Sequence, residues 1–173
     1  IACIEEPYNP SFVPRNGDTN LFARLSDLQA HIKTPVCLDE SVVTAQDMEE
    51  AMDFDNLKCY ALKVAKFGGI QPTLDFYKWA REQGKVTWMG GMFDTGVSKR
   101  MHAAFATLPG MDLPADVSDF TEYFEHDTAL PPLQLHEGEL VLNTVDHPAG
   151  LGCVLDKEYL RSVLVDEVTI AKD

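Results

Sequence analysis

Positive charge is scarce. The 173-residue chain carries 14 Lys and Arg against 28 Asp and Glu, a formal net charge of −14. A nucleic-acid binder must neutralise phosphates with basic side chains, so this balance excludes that partner class. Long apolar runs are missing too. None approaches the about 20 residues of a membrane-spanning helix, and no signal-peptide pattern is visible. Cysteine is sparse: Cys3, Cys37, Cys59 and Cys153 lie far apart with no CxxC pair. Neither a zinc site nor a disulfide framework is indicated, and reduced thiols buried in a cytoplasmic protein are expected. No GxGxxG follows the first apolar run, which counts against a dinucleotide site. His31, His102, His126, His136 and His147 stand at no ligand spacing and read as structural or exposed.

What remains is an ordinary globular composition, 45% hydrophobic and 24% charged, on a chain long enough for one core. The chain opens on Ile1 inside a strand-like run, so a preceding portion is expected. Residues 1–4 read as a buried strand, and 7–19, with Pro7, Pro10, Pro14 and Gly17, as a loop. Leu21, Leu25, Leu28 and Ile32 recur at helical spacing behind a Thr19 or Asn20 cap. The run "PVCL" is a strand. "TAQDMEEAMDF" is a helix capped by Thr44, with Met48 and Met52 on one face. "CYALKV" is a strand closed by Gly68-Gly69. A helix follows, with Pro72 near its start and Gly84 past its end. "KVTWM" precedes Gly90-Gly91, then a helix ends at Pro109-Gly110, with a short strand expected at 111–113. Trp79 and Trp88 read as core. Strand alternates with helix, so parallel strands with crossover helices are expected, either as an open doubly wound sheet or as a barrel. After residue 130 the texture changes to a hairpin turning at Glu137-Gly138 and a last helix over 156–168.

In either architecture the active site lies where the carboxyl ends of the strands emerge. The first strand ends in Glu5-Glu6, the second in Asp39-Glu40, the third carries Lys63 and Lys66, and the fourth leads into Gly90-Gly91-Met92-Phe93-Asp94. Facing carboxylates cannot all stay ionised cheaply unless a cation sits between them. Mg²⁺, with Mn²⁺ as the alternative, takes such oxygen ligands. A metal beside a lysine is a device for removing the proton next to a carboxylate and holding the enediolate. Taken singly, each of these residues is more readily a helix cap or a solvated charge than a site residue; Glu6 and Glu40 read as supporting or solvated rather than as ligands.

The segments "IEEP", "TPVCLDES", "ALKVAKFGG", "MGGMFDTGVSKR", "ATLPGMDLPAD" and "PAGLG", in that order, resemble the enolase superfamily in its muconate lactonising branch. The resemblance is greatest to the o-succinylbenzoate synthase and N-acylamino acid racemase group. It implies an α/β fold, the C-terminal part (strands 4 to 8) of a TIM-like (β/α)₇β barrel. Residues 1–130 would form the barrel portion. Residues 131–173 would be a tail packing on barrel and capping domain. It further implies metal ligands Glu5 and Asp39, a catalytic Lys63, and a substrate-lining Gly90, Gly91, Met92 and Asp94. Glu40 and Lys66 would lie behind them. The implied activity is Mg²⁺-dependent dehydration of a small carboxylate substrate in menaquinone biosynthesis, with racemisation or cycloisomerisation as the alternative. A first metal ligand, a Lys-x-Lys strand and the capping domain would come from a missing N-terminal segment or a second chain, and a homo-oligomer is compatible. A barrel fragment inactive by itself is the reading from another class. Racemising relatives commonly carry Arg three residues after the catalytic lysine, where this chain has Lys66.

Overall fold

The computed structural model describes residues 1–9, 20–142 and 150–170. The expected loop prolines Pro10 and Pro14, Gly17, the Thr19 cap and His147 lie outside that set. The described chain forms two compact units, Ile1–Gly90 with Phe105–Asp116, and Gly91–Ala104 with Val117–Asp173.

The first unit is built on four parallel strands in the order β1-β2-β3-β4: β1 (Ile4–Glu5), β2 (Val36–Leu38), β3 (Cys59–Leu62) and β4 (Val86–Met89). Crossover helices α1 (Leu21–His31), α2 (Ala45–Met52) and α3 (Ile70–Glu82) join them. Local chemistry sets the helix ends. Asn20 accepts hydrogen bonds from the Phe22 and Ala23 amides, opening α1. Thr44 and Asp47 form a reciprocal capping box on α2. Gly69, at φ 133°, precedes α3, a backbone state that only glycine adopts at ease. Tyr60, Phe76 and Trp79 pack edge to face outside β3. β1 is an edge strand of the sheet, so Ile1 and Ile4 are exposed rather than buried as their apolarity suggests. Trp79 and Trp88 are half-buried. The expected short strand after residue 110 is reduced to one parallel bridge, Thr87 to Met111.

Register decides what meets at the strand ends. Glu5 pairs with Cys37, Cys37 with Cys59, and Cys59 with Val86. Side chains two apart share one face of a strand. Cys3, Cys37, Cys59, Ala61, Val86 and Trp88 accordingly pack together on one side. The Trp88 indole N–H donates to the Cys37 sulfur over 3.2 Å. One step along that same face come Glu5, Asp39, Lys63 and Gly90.

The second unit holds α4 (Gly96–Ala106), whose last two residues fall in the first unit. It also holds antiparallel pairs β5 (Ala129–Leu130) with β8 (Val154–Leu155) and β6 (Leu135–His136) with β7 (Glu139–Leu140). Glu137 and Gly138, both at positive φ, make the expected hairpin turn. Asp127 accepts from the Gly96 amide at 2.8 Å, and Arg100 donates to the Pro131 carbonyl at 2.6 Å. Asp156 caps α5 (Lys157–Ser162). That helix stops well short of residue 168. Val163, Leu164 and Val165 are exposed, so among the described residues the apolar run after Ser162 has no packing to support a helix.

Candidate active site

The convergence implied at the strand ends is present in the first unit. Carboxylate oxygens of Glu5, Asp39 and Glu40 all lie within 4.8 Å of one another. Asp39 follows β2 directly, and its side chain is fully buried. Lys63, the first residue past β3, pairs with Asp39 Oδ2. Lys66, one turn on, donates to Asp39 Oδ1 at 2.6 Å, to the Asp39 carbonyl at 2.9 Å and to the Ala61 carbonyl at 3.1 Å. Both amines thus grip one carboxylate. Lys66 contacts the proposed ligand Asp39 from behind, the supporting position expected for it.

The electrostatics follow from this crowding. Partial burial, a hydrogen bond to Asp39 and the Asp39 charge push the Glu5 carboxyl up to about 7. Burial pushes Asp39 up as well. The Lys66 charge and hydrogen bonds from Glu5, Lys63 and Lys66 outweigh it, and Asp39 stays below the usual carboxylate range. Lys63 loses by burial but gains more from Asp39, so it is held cationic. Lys66, more deeply buried, is shifted down. Both amines pair with Asp39, which leaves Glu5 and Glu40, both exposed, without a direct ion pair among the described residues. A hard oxygen-seeking cation fits that set.

Gly90 has a steric reason to be glycine. A Cβ there would sit 2.7 Å from Lys63 Cε and 3.2 Å from Cγ. Gly91, Met92 and Asp94 belong to the second unit. There Asp94 accepts from Ser98 Oγ at 2.7 Å and from the Met92 amide at 3.0 Å, and lies 3.4 Å from the buried His102 Nδ1. These contacts organise the start of α4. A cavity of about 620 Å³ opens beside α2 and α3, lined by Val43, Met48, Phe67, Pro72 and Phe76 with Lys66 at its edge. Glu5, Asp39 and Lys63 do not line it, so it is not the carboxylate centre.

Of the two roles the sequence left to Glu6, supporting or solvated, it takes the supporting one. Its carboxylate accepts from the Asp39 amide at 2.7 Å and from the Ser41 amide and hydroxyl, each at 3.0 Å. The only sequence signal for this was a second acid directly after the first.

Known proteins resemble this chain in sequence and in fold. An o-succinylbenzoate synthase of Bacillus subtilis is 31% identical over 134 residues, covering 78% of this chain and 35% of that protein. An N-succinylamino acid racemase of Thermus thermophilus is 33% identical over 143 residues, covering 83% and 37%. Among solved structures, an enolase superfamily member from Listeria innocua superposes with a TM-score of 0.79 at 27% identity, covering 94% of this chain and 40% of that one. A muconate lactonizing enzyme from Klebsiella pneumoniae gives 0.76 at 26% identity, covering 94% and 42%. The chain spans little more than a third of the length of these curated relatives. A family model described as enolase C-terminal domain-like matches residues 1–159, the parallel strands and their acidic rim included, and the chain belongs to that family.

Proposed function

We propose that this chain contributes the acidic rim and one lysine of a Mg²⁺-dependent lyase of the o-succinylbenzoate synthase type. The observation that carries the reading is the meeting of Glu5, Asp39 and Lys63 at the ends of three adjacent parallel strands. Glu5 and Asp39 would hold the cation, with Glu40 close enough to support it. When bound, the metal supplies positive charge to the substrate carboxylate. Lys63, cationic through Asp39, would face the negative charge that develops when the α-proton leaves. Lys66 would keep Asp39 turned into the site, and Gly90 would give the Lys63 stem its path. The group that takes the α-proton, a first metal ligand and the pocket that selects the substrate belong, in this reading, to a further segment that precedes these strands or lies on a second chain. The short span relative to the relatives supports that part of the proposal.

A second reading is supported by relatives named N-succinylamino acid racemase, from Thermus thermophilus and from an Amycolatopsis species. There Lys63 would act neutral, as a base. The two separate in one assay of the assembled protein with Mg²⁺. Elimination of water from the hydroxy-cyclohexadiene carboxylate that o-succinylbenzoate synthases use is the expected result. Exchange of the α-proton of an N-succinyl amino acid without any dehydration would reject the first reading in favour of the second. Neither reaction, with the cation bound, would leave the chain a non-catalytic barrel segment.

A further inference from the structure

Glu5 and Glu6 are consecutive, yet both carboxylates reach the end of β2. In a regular strand successive side chains point to opposite faces. The chain escapes that rule because Glu6 takes a left-handed backbone conformation, φ 40°, which costs a non-glycine residue energy and persists only where surrounding contacts hold it. Those contacts are identifiable. The Glu6 amide donates to the Cys37 carbonyl at 3.0 Å, continuing the β1–β2 ladder. Its carboxylate Oε2 then takes the Asp39 amide, the Ser41 amide and the Ser41 hydroxyl. Hydrogen bonds to an ionised acceptor are short and about twice as strong as neutral ones. Three on one oxygen, spanning Asp39 to Ser41, pin the segment that carries the buried carboxylate. The Val42 amide closes the same turn onto the Asp39 carbonyl at 3.0 Å.

From this geometry we infer that Glu6 is the positioning residue of the site. Its Oε2 fixes the backbone from which Asp39 reaches the cation. The two acids divide the work: Glu5 offers an oxygen to the cluster, and Glu6 spends Oε2 on the loop opposite. The inference rests on the proposed metal site for its functional consequence, but its structural half stands apart from any metal.

Two readouts on the full chain keep these halves distinct. The first is amide hydrogen exchange at Asp39 and Ser41. In Glu6→Ala both amides should exchange faster by about tenfold or more, the loss of a bond to a charged acceptor, while the Tyr60–Leu62 amides in β3 stay as in the wild type. The second is Mn²⁺ affinity, followed by the spin-resonance signal of the free ion. Glu6→Ala should lose about 10- to 100-fold, as removal of a ligand's hydrogen-bond partner does. Glu6→Gln, which keeps an oxygen toward the loop, should fall between Ala and wild type in both readouts. Unchanged exchange at Asp39 and Ser41 in Glu6→Ala overturns the inference; if that variant does not fold, unchanged exchange in Glu6→Gln overturns it. Faster exchange with wild-type Mn²⁺ affinity also overturns the positioning role. Faster exchange in a protein whose wild type binds no Mn²⁺ upholds the clamp and rejects the proposed metal site instead.

Discussion

The methylene stem of Lys63 crosses the backbone at Gly90 so closely that no side chain fits between them: a Cβ on Gly90 would meet Lys63 Cε at 2.7 Å. Gly90→Ala should therefore displace the Lys63 amine from Asp39. The expected stability loss is about 1–3 kcal/mol, the usual cost of overpacking. The catalytic loss should be larger, about 10²-fold, because an ångström of misplacement is felt strongly at a reacting centre. Urea unfolding and turnover of the assembled protein measure the two separately. A variant with wild-type turnover would mean that the Lys63 amine is not held in place by this contact.

Lys85 tests the electrostatics away from the rim. It is buried, and its ammonium donates to the Leu57 carbonyl at 3.1 Å. Burial holds its pKa below the ordinary 10.5, with nearby Asp55 opposing and Lys58 adding to the shift. The folded protein therefore gives up this proton at lower pH than the unfolded chain does. Between the folded value and 10.5 the unfolded state binds more protons, so stability rises with pH in that window. The comparison is with Lys85→Met, which removes the titration. The stability of the wild type minus that of the variant should grow from neutral pH toward 10.5 in urea unfolding. A flat difference would show that Lys85 carries its charge in the fold without penalty.

Much of this arrangement was legible in the residues. Asn20, Thr44 and the Gly68-Gly69 pair punctuate the helices where their capping chemistry demands, and each helix begins there. The acids and lysines following three apolar runs located the rim, because parallel strands deliver their next residues to one end of a sheet. Three things were not legible. The burial of the first strand depends on what covers β1, an edge in this sheet, and local apolarity cannot report that. The last helix continues in pattern but not in space: Val163 and Val165 are β-branched and exposed, so nothing offsets their weaker helix preference. The role of Glu6 rests on a left-handed residue in the middle of an ordinary run of letters, and no periodicity announces it.

Asp39 carries the sharpest prediction. Its carboxylate is fully buried between two amines that are themselves only 13% and 9% exposed. Burying three charges costs several kcal/mol, and their mutual attraction offsets that only while all three are present. Asp39→Asn keeps the shape and removes the negative charge, leaving Lys63 and Lys66 side by side with no buried counter-ion. The expected loss is about 3–5 kcal/mol in urea unfolding, the range for breaking a buried pair from one side. Lys66→Met in the Asn background should then recover part of that loss, because it deletes one of the stranded charges. In the wild-type background the same Lys66→Met should destabilise. This reversal of sign is the signature of coupling between contacting groups. If Lys66→Met has the same effect in both backgrounds, the amine and the carboxylate are independent, and the cluster at positions 39, 63 and 66 does not act as one charged unit. Mn²⁺ binding should also disappear in Asp39→Asn at every pH at which the protein stays folded, since the neutral amide brings no charge to the cation.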